Sequence, residues 1–123
     1  MRRRVRAKTI RFFASAAVIA LIGFPAVAAE CLLPTGQAPV IPDGATATAD
    51  QLKNAQPLVQ SYVNQLESYQ DCVEARIKLT MKTSKPEDLQ KLRDAGNAAV
   101  AQATALSQNF SAQVKAFKAR APQ

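Results

Sequence analysis

The sequence predicts an all-α protein, an antiparallel two-helix hairpin of coiled-coil-like character with an extended N-terminal tail tied to the first helix by a disulfide. Three observations predict it. Two long stretches carry apolar residues alternately three and four apart, the spacing that lines one face of a helix. A capping sequence opens each stretch, Thr48-Ala49-Asp50-Gln51 and Ser84-Lys85-Pro86-Glu87. Two cysteines, Cys31 and Cys72, sit in a chain that begins like an exported one, and pairing is the ordinary fate of such a count in an oxidising compartment.

Residues 1–29 read as a secretory signal peptide, removed on export. Arg2, Arg3, Arg4, Arg6, Lys8 and Arg11 form a basic start, an apolar run follows from Phe12 to Phe24, and Ala26-Val27-Ala28-Ala29 supplies a small-residue cleavage site. The apolar run is about 13 residues, shorter than the roughly 18 a spanning helix needs, so no stable membrane anchor is expected after cleavage. Periplasmic or secreted localisation follows. Cleavage after Ala28 and after Ala29 both fit. A lipid-modified Cys31 is a rival fate, opposed by Glu30 where a small residue belongs. Twin-arginine export is another, opposed by the lack of apolar residues directly after the arginine pair.

Subtracting the leader changes what the charge means. The whole chain carries 16 basic and 9 acidic residues, net +7. Six of the basic residues and none of the acidic ones lie in the leader, so the mature chain is near neutral at +1. A nucleic-acid partner argued from basicity is thereby excluded. The mature chain is one small domain, with a core limited by its surface-to-volume ratio. It has four aromatic residues and no tryptophan, so its interior is thin and alanine-rich.

Residues 30–47 have no helical period. Pro34, Gly36, Pro39 and the turn sequence Pro42-Asp43-Gly44 exclude a regular element. Leu32, Leu33, Val40 and Ile41 are nonetheless apolar, so the segment is expected to be an extended tail docked on the helices. The hairpin should cover 48–120, with helices over about 48–82 and 85–119. In the first, Leu52, Ala55, Val59, Tyr62, Leu66, Tyr69 and Val73 form the stripe. Pro57 removes a backbone donor inside it and should bend it; a later start at Asn54 is the alternative. In the second, Leu89, Leu92, Gly96, Ala99, Ala103, Leu106 and Phe110 continue the pattern, which slips at Gln113 and Val114 and ends at Phe117.

Folding the stripes against one another gives the interface Val59, Tyr62, Leu66, Tyr69 and Val73 on one helix, and Leu92, Gly96, Ala99, Ala103, Leu106 and Phe110 on the other. Tyr69 then faces Ala99 and Val73 faces Gly96, large against small, which brings two helices close. The turn this register implies falls at Ser84, where the second capping sequence independently places it. Cys72 lies about 36 Å along the first helix, and the 17 residues between Cys31 and Thr48 reach up to about 56 Å when extended. The tail can therefore run back along the helix to close the disulfide, with its apolar residues covering the flank that carries Leu58, Cys72 and Leu79.

Catalytic chemistry finds little foothold. The chain has no histidine, which removes Ser-His and Cys-His pairs and imidazole metal ligands alike. No serine has a lysine three residues later, and no glycine-rich phosphate loop occurs. No catalytic residue, metal or cofactor is assigned. Glu67, Asp71 and Glu74 share a helical face that suits a hard cation, but they fit a solvated face better, with Lys78 placed to pair with Glu74. Lys115, Lys118 and Arg120 complement the dipole at the end of the second helix, or touch an anionic surface. Val63, Ile77 and Val100 lie off the stripes and fit a hairpin that pairs with another.

The stretch Cys31 to Cys72, with Pro34, Pro42-Asp43-Gly44-Ala45-Thr46, Tyr62 and Tyr69-x-x-Cys72, resembles small exported proteobacterial proteins of unassigned function. The resemblance covers about 40 residues and implies export and the cysteine pair, but no activity. The expected function is therefore non-enzymatic, through a protein partner or a homo-oligomer. The alternative is a small-ligand or envelope-surface binding module that uses the groove between tail and helix.

Overall fold

The computed structural model describes residues 30–120; the expected leader lies outside the described residues. Two helices, α1 (Ala49–Thr80) and α2 (Pro86–Arg120), fold back on one another. Thr48 caps α1 with the full reciprocal box: its hydroxyl accepts from the Gln51 amide at 3.2 Å, and its own amide donates to the Gln51 side chain at 2.8 Å. α1 begins at Ala49 and runs through Pro57, which excludes the later start at Asn54. The second capping box does not form. Lys85 takes the cap position, its carbonyl accepting from the Leu89 amide at 3.2 Å, and the Ser84 amide turns back to the Thr80 carbonyl at 2.8 Å. Five residues between the helices leave too little chain for Ser84 to serve α2 once it closes α1.

The core is a single cluster of Val59, Val63, Leu66, Ala99 and Ala103, with Ile41, Tyr62, Tyr69, Leu106 and Phe110 packed around it. Leu66, within it, and Val73, outside it, are the most enclosed side chains among the described residues, 1% and 2% exposed. Gly96 faces Val73, where a methyl group would meet Val73 Cγ1 at 3.3 Å, so the close approach leaves no room for a larger residue without repacking. Val63 corrects the sequence reading. It belongs to the hairpin's own core, because glycine and alanines on α2 bring the helices near enough for the position beside the stripe to be enclosed.

The disulfide Cys31–Cys72 ties the tail to α1, with Cα atoms 5.6 Å apart. The tail does not cover the flank as expected. Leu58 and Leu79 stay 61% and 81% exposed, and Leu32, Leu33 and Val40 point to solvent as well. Slack explains this. From Cys31 to Gly44 the chain could span about 45 Å, whereas its two anchoring points differ by about 24 Å along the hairpin, counted at 1.5 Å per residue from Cys72 to the level of Gln113. Surplus chain is not pulled onto the helix, and Ile41 is the apolar tail residue that packs against the core cluster.

Candidate functional site

Of the interface residues named from sequence, Val59, Leu66, Ala99 and Ala103 form the core cluster, Tyr62, Tyr69, Leu106 and Phe110 pack against it, and Val73 stands against Gly96. Val59, Leu66, Val73, Gly96, Ala99 and Ala103 are buried; Tyr62, Tyr69, Leu92, Leu106 and Phe110 are half-buried. The Tyr62 hydroxyl reaches the rim and accepts from the Gln102 side chain at 3.3 Å. With this seam closed, what remains for interaction is its two flanks, and they differ.

One flank carries the tail. The Asp43 carboxylate accepts from the Ala45 amide at 2.9 Å, and the Asp43 carbonyl accepts from Thr46 and Ala47, a tight turn that presents Gly44 to α2. The Gly44 amide donates to the Gln113 side-chain oxygen at 2.8 Å. The Gly44 carbonyl accepts from Arg120 Nε at 2.9 Å, and the same guanidinium donates to the Ala47 carbonyl. Arg120 also lies over the Phe117 ring, 4.9 Å from its centre. Sequence reasoning grouped Arg120 with Lys115 and Lys118 as a basic helix end. Its actual partners are two tail carbonyls, which no local pattern could reveal. The polar Gln113 interrupting an apolar stripe was the available signal.

The other flank is open. A groove of about 540 Å³ runs beside Val63 and Leu66 on α1 and Val100 and Ala103 on α2, with Glu67 and Asp71 on its rim. It continues toward the inter-helix turn past Gln70, Glu74 and Asn97, and positions two heptads earlier on α1 line a further hollow of about 320 Å³ near Lys53, Val114 and Lys118. Val100 stands at its edge, 45% exposed. The floor is small and apolar, the walls polar and charged.

The three carboxylates do not converge. Among the described residues no group of three or more His, Cys, Asp and Glu side chains could hold a metal ion. Glu74 accepts from the Gln70 side-chain amide at 2.8 Å instead of pairing with Lys78. Gln70 turns its other end inward, leaving its Oε1 buried without a hydrogen-bond partner. The one ion pair among the described residues joins Lys91 to Asp88 at 3.9 Å on the surface and involves no charged group of the groove. No helix among the described residues is long and apolar enough to cross a membrane. Comparison with protein-family models, curated proteins and solved structures finds no match, and the chemistry of this flank stands on its own residues.

Proposed function

We propose that this chain is a small exported protein of the periplasm or extracellular space that acts without catalysis, by holding another protein or a second copy of itself. The observation that carries this reading is the open flank of the seam. It offers a trough with an apolar floor and charged groups on its walls, the form of surface that takes an additional helix. The disulfide and the leader-like first 29 residues support export. The absence of histidine from the sequence supports a non-enzymatic role.

Chemical cross-linking inside the cell envelope tests it. A discrete protein adduct is expected. A clean monomer whose melting temperature rises with an added small molecule or envelope polymer would favour the second reading, a binding module. That reading draws on a shallow hollow of about 720 Å³ between residues 32–35 and the outer face of α1, where Leu32 and Leu33 are exposed.

A further inference from the structure

The charges of the open flank are arranged unevenly along its length. Lys53 and Lys118 stand near the end of the hairpin remote from the inter-helix turn, and Glu67 and Asp71 stand at its middle. The seam register is fixed by Gly96 against Val73, so levels on the two helices can be compared. Lys53 lies nine residues before Tyr62 on α1, and Asp71 lies nine residues after it. At 1.5 Å per residue, each is about 13 Å from the level of Tyr62.

We infer that the occupant of this face is a second copy of the chain, docked antiparallel about a two-fold axis level with Tyr62. The inference rests on the interaction reading above and names its partner. Such an axis, lying between the two layers and across the helices, stacks α1 on the partner's α1 and α2 on the partner's α2. Lys53 of each copy then meets Asp71 of the other, twice by symmetry.

The apolar groups obey the same axis. Val63 is one residue from its level and stacks on its own counterpart. Val100, four residues past Gly96, is level with Tyr69 and so is carried to the level of Ala55, beside Val114 and the hollow of about 320 Å³ at that end. An exposed knob meets a hole. Ser107, level with Tyr62, is small enough to let the two α2 helices cross closely.

Charge selects this arrangement over its alternatives. A parallel pairing of the same faces stacks α1 on the partner's α2. It brings Lys53 within two residues of the level of the partner's Lys118, like near like, and leaves Asp71 level with Ala98, where no opposite charge stands. A two-fold shifted toward the inter-helix turn, pairing Asp71 with Lys78, overlaps little more than the last ten residues of α1. The axis at Tyr62 overlaps the hairpins from Ala49 to about Ala75.

Sedimentation velocity over a concentration series, on the protein expressed with its leader and purified from cells, tests the inference. A dimer is expected, weakening as salt is raised. Asp71→Lys and Lys53→Glu should each raise the dissociation constant about tenfold or more, since each sets like charges face to face. Mixing the two variants should restore association, because in the mixed dimer both contacts are opposite in sign again. Val100→Arg should give a monomer with unchanged helical circular dichroism, since the residue lies outside the hairpin's core. A monomer at every concentration overturns the inference, as does a dimer indifferent to all three substitutions. If that monomer still forms an adduct with a different protein in the envelope, the interaction reading survives and the second copy does not. A monomer with no adduct removes both.

Discussion

Replacing Gly44 by alanine should loosen the far end of the hairpin although Gly44 belongs to neither helix. A methyl group placed there would lie 2.7 Å from the carbonyl carbon and 3.0 Å from the Cα of Gln113, and nearer still to its carbonyl oxygen. Ordinary contact between carbon atoms begins at about 3.5 Å. Those atoms are helix backbone and cannot turn aside, so the tail must retreat by roughly 1 Å. That stretches the Gly44–Gln113 bond, now 2.8 Å, and the Arg120–Gly44 bond, now 2.9 Å, past useful length, and the Arg120–Ala47 bond with them. A neutral hydrogen bond contributes about 1 kcal/mol and one to a charged group about 1.5–3. Partial exposure lets water replace part of the loss, so a destabilisation of about 2–4 kcal/mol is expected. Urea denaturation followed by circular dichroism, with the disulfide intact, measures it. Arg120→Met should cost less and should add little to Gly44→Ala, because the ties it removes are already broken. Gly36→Ala is the contrast. No atom lies within 4 Å of the added methyl, and its cost of about 1–3 kcal/mol comes from a φ of +109° alone. Gly44→Ala within about 0.5 kcal/mol of the parent, or full additivity with Arg120→Met, would refute the strap.

Three further outcomes follow from the packing. Cys31→Ser with Cys72→Ser should lower stability by roughly 4 kcal/mol on the chain-entropy account, while far-ultraviolet circular dichroism keeps its helical shape because α1 and α2 meet without the bridge. A loss of helical signal at low temperature would contradict this. Gly96→Ala should be nearly neutral, a helix-propensity gain of about 1 kcal/mol offset by crowding against Val73 Cγ1, whereas Gly96→Leu should cost about 1–3 kcal/mol; equal melting temperatures for the two would sink the close-approach argument. Gln70→Leu should stabilise by about 1 kcal/mol, since it removes a buried acceptor that has no partner. A lower melting temperature there would mean that the Gln70–Glu74 bond outweighs the stranded oxygen.

What the sequence revealed and what it concealed divide along physical lines. The stripes from Leu52 to Val73 and from Leu92 to Phe110 were readable because helical period is local, and so was the Thr48 cap, whose partners are three residues apart. The disulfide was readable from residue count and chain reach. Val63 was not, because its burial depends on how near Gly96, Ala99 and Ala103 let α2 come. The contact of Gly44 with Gln113 spans 69 positions and turns on a backbone approach that no spacing rule encodes. Leu32, Leu33 and Val40 misled in the opposite sense. Their apolarity argued for docking, but a tether longer than its path is under no compulsion to lie flat. On the open flank, Glu67 and Asp71 were legible as a charged face, whereas the trough they border appears only once both helices are in register.

The clamp that Arg120 places on the tail changes how this hairpin can come apart. A two-helix hairpin ordinarily unzips from the end remote from its turn, where the last residues of one helix and the first of the other separate at little cost. Here that end is laced shut by the guanidinium, and the tail it grips is covalently fixed to α1 at Cys72, in the half of the helix nearer the turn. Among the described residues, that end offers no loose edge from which to peel. Amide hydrogens in the last turns of α2 should therefore exchange with solvent on the schedule of the core, and a protease probing that end would have to wait for the whole hairpin to open.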